Sequence, residues 1–161
     1  METDFCGYDM LASKLRSLVS GERNPLPNLS NAAALLRYSL TDISWAGFYI
    51  SDAAAGELIL GPFQGKPACI RIKYGRGVCG TAAACDKTVR VDNVHEFEGH
   101  IACDAESNSE IVLPLHGAGG NVVGVLDIDS TKFSRFSEDD ERGLLEFAAI
   151  LESACDWEMI S

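Results

Sequence analysis

Basic residues are scarce in this sequence, and their scarcity excludes two classes of partner. The chain has 13 lysines and arginines against 24 aspartates and glutamates, which gives a formal net charge of −11. Nucleic acids and anionic membrane surfaces both attract proteins through a basic face. We therefore expect neither nucleic acid nor membrane as a partner.

Long apolar runs are also missing. No stretch approaches the roughly 18 consecutive apolar residues of a membrane-spanning helix. The first residues, Met1 to Asp4, include two acids and lack the apolar segment of a secretory signal. We expect a cytoplasmic protein, and a length of 161 residues suits a single domain with its own core.

Metal-binding signatures are absent as well. There is no C-x-x-C pair, and His95 and His100 are five residues apart. On a helix two such side chains point about 140° apart, so they cannot share one ion. His100 and Cys103 have a suitable spacing but no second pair of ligands. We expect neither a metal ion nor an organic cofactor.

Cysteine, in contrast, is plentiful, with six residues: Cys6, Cys69, Cys79, Cys85, Cys103 and Cys155. In a cytoplasmic protein of this length these are expected to be reduced thiols that are buried as small hydrophobes, bind a metal or are redox-active. Cys69, Cys79 and Cys103 fall at predicted element ends or turns. Cys79 also lies at the start of a predicted helix, where the helix dipole is expected to lower the pKa of its thiol.

Hydrophobic periodicity predicts an α+β domain with a largely antiparallel sheet of about six strands. Helices are expected at both chain ends. The predicted helices span 8–19, 31–41 (capped by Asn28 or Ser30), roughly 75–85, and 138–155. The predicted strands span 43–50, 57–63, 68–73, 88–91, 110–115 and 122–130.

The first strand places Trp45, Gly47 and Tyr49 on one face. Two large aromatic rings with a glycine between them predict a hollow with two walls, suited to a small ligand. The alternative is that both rings are ordinary parts of the core.

The last strand places Val123, Val125, Asp127 and Asp129 on one face. Two carboxylates on a buried strand indicate that this face opens on a polar pocket, unless they simply reach solvent at the strand end. Neighbouring carboxylates disfavour double ionisation, so the pair is expected to share a proton.

Residues 75–80 (GRGVCG) match the spacing of a dinucleotide-binding loop. We reject that interpretation because the preceding strands are linked by hairpins, which leaves no parallel sheet to carry the motif. The glycines are better explained by a tight turn at a helix start, with backbone amides available to an anion.

Four segments resemble the free methionine-(R)-sulfoxide reductases, which are single GAF-domain enzymes. They are residues 61–69 (GPFQGKPAC), 75–82 (GRGVCGTA), 99–110 (GHIACDAESNSE) and 124–130 (GVLDIDS). The likeness runs from about Trp45 to the final helix. It implies a GAF-like fold over residues 1–161 and reduction of free L-methionine-(R)-sulfoxide.

The resemblance also implies roles for matched residues. Cys103 corresponds to the catalytic cysteine, Cys69 to the main resolving cysteine, and Cys79 to a third cysteine able to form an alternative disulfide. The acids that bind substrate and protonate the sulfoxide oxygen correspond to Glu110, Asp127 and Asp129. The aromatic walls of the substrate site correspond to Trp45 and Tyr49. Cys6, Cys85 and Cys155 match no family role and are expected to be buried or incidental.

A thiol mechanism follows from these roles. Cys103 attacks the sulfoxide sulfur, becomes a sulfenic acid, and condenses with Cys69; thioredoxin then reduces the disulfide. Residues 107–109 are predicted to be a flexible link that lets Cys103 move between substrate and Cys69. The resemblance further implies a homodimer. The competing hypothesis is a non-catalytic GAF sensor that binds a small ligand.

Overall fold

The computed structural model describes residues 7–100 and 103–160. Its centre is a six-stranded sheet in the order β3-β2-β1-β6-β5-β4, with every neighbouring pair antiparallel. The predicted sheet is confirmed, and with it the rejection of a dinucleotide-binding loop. The strands are β1 (Trp45–Asp52), β2 (Glu57–Gln64), β3 (Arg71–Lys73), β4 (Val89–Val91), β5 (Ser109–His116) and β6 (Val122–Ser130).

Helices cover both faces of this sheet. The described α-helices are α1 (Tyr8–Val19), α2 (Pro25–Ser39), α3 (Gly77–Cys85) and α4 (Glu138–Ala154). The α4 helix begins with a capping box, in which Ser137 and Asp140 each accept from the other's backbone amide. None of the helices in the described part of the chain is both long and apolar enough to cross a bilayer.

The second helix begins earlier than the predicted residue 31. Its cap is Asn24, whose side chain accepts from the Leu26 amide at 3.0 Å, and Pro25 occupies the first helical position. Proline is favourable there because the first amides of a helix have no partner within it. Asn28, predicted as a cap, is instead buried and donates to the Glu22 carbonyl at 2.9 Å.

Two apolar clusters lie on opposite faces of the sheet. The larger cluster packs α1, α2 and α4 against the face that carries Phe48, Leu126 and Ile128. The smaller cluster packs α3 against the face that carries Trp45, Tyr49, Leu58, Val112 and Val125. Among the described residues, the second face is covered by one short α-helix and by loops, which leaves room for a pocket.

Two details of the predicted strands are wrong. The third strand begins at Arg71, so Cys69 lies in the preceding loop and not on the strand. At the start of β6 the register with β5 shifts, so His116 pairs with Val122 although Leu115 pairs with Gly124. This bulge turns Val123 towards the larger cluster and Val122 towards the smaller one, contrary to simple alternation.

Candidate active site

Three neighbouring strands bring the predicted site residues into one row. Asp129 of β6 pairs with Trp45 of β1 on one side and with Glu110 of β5 on the other. Asp127 lies opposite Gly47, one pair further along the same face. Because side chains two residues apart share a face of a strand, the aromatic rings and the acids project together.

These side chains line one pocket on the face covered by α3. Seven of the eight residues predicted for the site contribute to its wall. Asp127 and Glu110 are only 5% and 7% exposed, and Asp129, although partly exposed, lines the same pocket. The two aspartates of β6 therefore face a pocket and do not simply reach solvent at a strand end. The seven are Trp45, Tyr49, Cys79, Cys103, Glu110, Asp127 and Asp129.

The eighth residue, Cys69, is joined to Cys103 by a disulfide bond at the pocket mouth. Their Cα atoms are 5.7 Å apart, within the normal range for such a bond. Cys79 is a free buried thiol. Cys155 is also buried, as expected, whereas Cys85 is exposed. Cys6 lies outside the described residues.

The two aromatic walls also hold the loop that carries Cys69. The Trp45 indole Nε1 donates to the Lys66 carbonyl at 3.1 Å, and the Tyr49 hydroxyl donates to the Cys69 carbonyl at 2.9 Å. Burial, followed by the charge of Asp127, raises the pKa of Tyr49, so its hydroxyl stays protonated. Both rings are therefore polar anchors as well as apolar surfaces.

The hollow predicted above Gly47 is filled. A Cβ atom at this position would meet the Trp45 Cη2 atom at 2.8 Å and would also overlap with Phe63. The rings of Trp45 and Phe63 are stacked with centroids 5.2 Å apart. Gly47 thus makes space for the indole itself, and the pocket lies beside the rings rather than between them.

The three acids lie close enough for their charges to shift one another's pKa values. Burial raises the pKa of Glu110 well above its usual value, and the charges of Asp127 and Asp129 raise it further. Burial also raises the pKa of Asp127 to about 6, although hydrogen bonds from Glu110 and Cys79 act in the opposite direction. The pKa of Asp129 is raised by burial and by Asp127. Such a group retains a proton near neutral pH.

The predicted lowering of the pKa of the Cys79 thiol is wrong. Its pKa is raised well above the ordinary value, first by burial and then by the charges of Asp127 and Glu110. The thiol is in the first turn of α3, but desolvation and nearby carboxylates outweigh the helix dipole. Cys79 is accordingly a protonated thiol in this pocket.

Three glycine amides of the glycine-rich segment are already hydrogen-bonded within the protein. Gly75 donates to the Gly80 carbonyl at 2.8 Å, Gly77 donates to the Gly99 carbonyl at 3.1 Å, and Gly80 donates to the Arg76 carbonyl at 3.0 Å. Gly80 is also required by close packing, because a Cβ there would overlap with the Lys73 carbonyl oxygen. The tight-turn interpretation is confirmed.

Residues 107–109 are anchored rather than flexible. The Asn108 amide donates to the Ser130 carbonyl at 2.8 Å, and its side-chain amide donates to the Thr131 carbonyl at 2.6 Å. Ser109 is fully buried, and its hydroxyl donates to the Lys132 carbonyl at 2.5 Å. The predicted swinging link is therefore wrong for this segment.

The histidine geometry also differs from the expectation. Between residues 94 and 100, the helical part is the short 3-10 segment Val94–Glu96. His95 and His100 therefore do not share a helix, and the helical argument about them does not apply. Their ring centroids are 6.4 Å apart. Among the described residues, the group that offers metal-ligand atoms is instead Cys79, Glu110 and Asp127, whose ligand atoms all lie within 4.8 Å of one another.

Sequence reasoning missed several polar residues of the pocket wall. Lys66 pairs across the mouth with Glu106 at 2.9 Å and so connects the two cysteine-bearing loops. Burial, followed by the neighbouring His95, lowers the pKa of His100 and favours the neutral imidazole. Each missed residue lies within a few positions of Cys69, Cys79 or Cys103 in the sequence, and that closeness was the signal that could have identified it. The missed residues are Lys66, Arg76, His100, Asp104 and Ser107.

The chain belongs to the GAF domain family, which matches residues 25–155. It is 54% identical over 151 residues to the free methionine-R-sulfoxide reductase of Escherichia coli, covering 94% of this chain and 88% of that protein.

Solved structures agree with this relationship. The reduced form of fRMsr from Staphylococcus aureus has a TM-score of 0.88 at 46% identity, covering 91% of this chain and 94% of that one. The free methionine-R-sulfoxide reductase of Neisseria meningitidis, in complex with its substrate, has a TM-score of 0.88 at 43% identity. The match covers 94% of this chain and 89% of that one. The predicted fold and the family resemblance are both confirmed.

Proposed function

We propose that this protein reduces free L-methionine-(R)-sulfoxide to methionine with a cysteine nucleophile. The observation that carries the proposal is the Cys69–Cys103 disulfide at the mouth of a pocket with buried acids. It is supported by the 54% identity to a relative named for this activity.

The chemistry assigns one role to each group. The Cys103 thiolate attacks the sulfoxide sulfur while an acid among Glu110, Asp127 and Asp129 protonates the oxygen. Methionine leaves, and the oxygen remains on Cys103 as a sulfenic acid. The Cys69 thiol displaces that oxygen as water and forms the disulfide. Cys79, the remaining cysteine in the pocket, is the alternative resolving thiol.

The pocket favours a free amino acid over a methionine within a polypeptide. Trp45 and Tyr49 provide an apolar wall for the methyl group of the substrate. The buried acids provide negative charge for its ammonium group, which a residue within a chain lacks. These contacts select the substrate by its charge as well as by its shape.

Recycling requires an external dithiol, for which we propose thioredoxin. Exchange of its thiols with the Cys69–Cys103 bond returns both cysteines to the reduced state and leaves the oxidised partner. We further propose a single domain over residues 1–161, a homodimer, a cytoplasmic location, and catalysis without a metal or organic cofactor.

The decisive experiment offers separate R and S epimers of free methionine sulfoxide to the full chain with thioredoxin, thioredoxin reductase and NADPH. We expect NADPH oxidation with the R epimer only. Cys103→Ser should be inactive, whereas Cys85→Ser, which changes an exposed cysteine outside the pocket, should retain activity. Oxidation with neither epimer, or full activity in Cys103→Ser, would falsify the proposal.

The same samples test the alternative of a non-catalytic sensor. Mass spectrometry of the reduced protein after treatment with the substrate should show one new Cys69–Cys103 linkage per chain. If all six thiols remained free, the sensor hypothesis would be favoured instead.

A further inference from the structure

A cysteine and two carboxyl groups meet at the base of the pocket, each from a different element. Cys79 comes from α3, Glu110 from β5 and Asp127 from β6. Their sulfur and oxygen ligand atoms all lie within 4.8 Å of one another, and all three residues are buried. Because rigid elements provide them, the three groups are held in place before any ligand arrives.

One atom of this cluster lacks the partner that a buried polar atom needs. Asp127 is 5% exposed, and its Oδ1 atom has no hydrogen bond within the described part of the chain. An unpaired carboxylate oxygen in such a setting is costly. The oxygen therefore calls for a cation or a donor from outside the protein.

The neighbouring sulfur indicates which cation fits. The ammonium group of an amino acid would satisfy Asp127 without any use for a thiolate. Sulfur combined with carboxylate oxygen is a ligand set typical of Zn²⁺ and Co²⁺, whereas Mg²⁺ and Ca²⁺ prefer oxygen alone.

We propose that Cys79, Glu110 and Asp127 bind a thiophilic divalent cation of the Zn²⁺ class, and that this ion competes with substrate for the pocket. On binding, the Cys79 thiol loses its proton to solvent and its sulfur becomes a thiolate ligand. Three protein ligands leave a fourth position for water. The ion is an inhibitor and takes no part in the proposed reaction; only the competition with substrate rests on that proposed function.

Cobalt(II) chloride is the probe, because a thiolate bound to Co²⁺ gives a charge-transfer absorption band that zinc lacks. The full chain is used in its disulfide form, so that Cys69 and Cys103 are not available as ligands. We expect a band that saturates at one equivalent of Co²⁺. No band in the unaltered chain would overturn the proposal.

Three variants assign the ligands. Cys79→Ser should lose the band, and Asp127→Asn, which has nearly the same shape, should weaken Co²⁺ binding about 10-fold or more. Cys85→Ser should retain the full band, since this exposed cysteine lies outside the cluster. A band that persists in Cys79→Ser, or that disappears in Cys85→Ser, would contradict the assignment. Circular dichroism identifies any variant that is unfolded, and Asp127→Asn provides a second test that leaves every cysteine in place.

Competition is measured separately from activity. Free methionine sulfoxide added to the cobalt-bound chain should reduce the band in proportion to its occupancy of the pocket. If the chain proved not to reduce methionine sulfoxide, the band and its variants would still test the cation site. If the chain were fully active but showed no band, the cation site alone would be refuted.

Discussion

Glu110 and Asp129 are paired directly across strands β5 and β6, and both carboxyl groups line the same pocket. A third carboxyl group, that of Asp127, lies on the same face of β6. A folded protein tolerates such a group only if protons remain within it, because buried like charges repel. The pairing therefore connects the candidate chemistry to the dependence of stability on pH.

We expect the stability of the chain to fall as pH rises through neutrality. The pKa of Glu110 is higher in the folded state than in the unfolded state. The contribution of protonated Glu110 to the free energy of unfolding is therefore fully present below the unfolded pKa and is lost as pH rises through the folded pKa. Glu110→Gln should reduce the loss between pH 5 and pH 8 by on the order of 1 kcal/mol, since one pKa unit corresponds to about 1.4 kcal/mol. Urea unfolding of the disulfide form at several pH values measures this effect.

The matched control is Glu98→Gln, which removes one exposed carboxyl group outside the pocket. The free energy of unfolding of this variant should change with pH by the same amount as that of the unaltered chain. If that of Glu110→Gln changed by the same amount as well, the pocket acids would not be the source of the pH dependence.

Tyr49→Phe tests the polar anchor of the Cys69 loop. The substitution keeps the aromatic wall but leaves the Cys69 carbonyl without its donor. We expect disulfide formation to slow several-fold, corresponding to about 1 kcal/mol for one hydrogen bond, while the first release of methionine is little changed. Rapid-quench single turnovers, with methionine and free thiols counted separately, resolve the two steps.

Tyr74→Phe is the comparison for that experiment, because its hydroxyl bonds to Ser51 instead of the Cys69 loop. It should leave both steps unchanged. Equal slowing of both steps in Tyr49→Phe would show that the hydroxyl acts on substrate and not on the loop.

Gly47→Ala tests the packing of the indole wall. The added methyl group would overlap with the Trp45 and Phe63 side chains, so the indole must move. We expect a loss of stability of roughly 1–3 kcal/mol, as for other overpacked sites, together with a raised KM for the sulfoxide. Gly119→Ala, whose Cβ would only reach ordinary contact with Asn121 at 3.6 Å, should change neither quantity. An unchanged KM in Gly47→Ala would remove the indole from the substrate site.

Asp86→Asn tests an ionic connection at the end of β5, where His116 links the end of α3 to α4. The His116 imidazole lies between Asp86 Oδ1 at 2.5 Å and Glu152 Oε2 at 2.7 Å. Partial burial lowers the pKa of His116, but the hydrogen bonds to both carboxylates outweigh burial and raise it overall. The resulting stabilisation is present below the unfolded pKa and is lost as pH rises through the folded pKa.

Asp86→Asn should therefore cost more stability at pH 6 than at pH 9. The three side chains are between 25% and 50% exposed, so solvent screens the charges and the difference should be a few tenths of a kcal/mol. Asn suits the left-handed backbone of residue 86, where φ is 49°, and this separates the charge effect from strain. Thermal unfolding at both pH values provides the measurement, and an equal cost at each would contradict the assignment.

Strand periodicity predicted the sheet and its functional face because alternation is a local property of the chain. It placed Trp45 with Tyr49, and Asp127 with Asp129, without knowledge of the partner strands. It failed at Val123, where a bulge between β5 and β6 reverses the direction of the side chain. A bulge depends on how two strands meet, so neither strand predicts it alone.

Other features depended on tertiary contacts. The polar run at 107–109 resembled a flexible turn, but Asn108 and Ser109 are held by carbonyl groups more than twenty residues away. The dipole argument for Cys79 was locally sound, yet it omitted burial by the sheet and the carboxyl group of Asp127. In both cases the missing information was the environment that distant segments provide.

The bond between Cys69 and Cys103 encloses β3, α3 and β4 in one covalent loop, with a sequence separation of 34 residues. A cross-link of this span restricts the unfolded chain by about 4 kcal/mol in the loop-entropy treatment. In the proposed cycle the chain gains and loses this restraint at every turnover. Resistance to heat and to proteases should then rise as the supply of reductant falls, and a cell short of reductant accumulates the enzyme in its more stable, disulfide-bonded form.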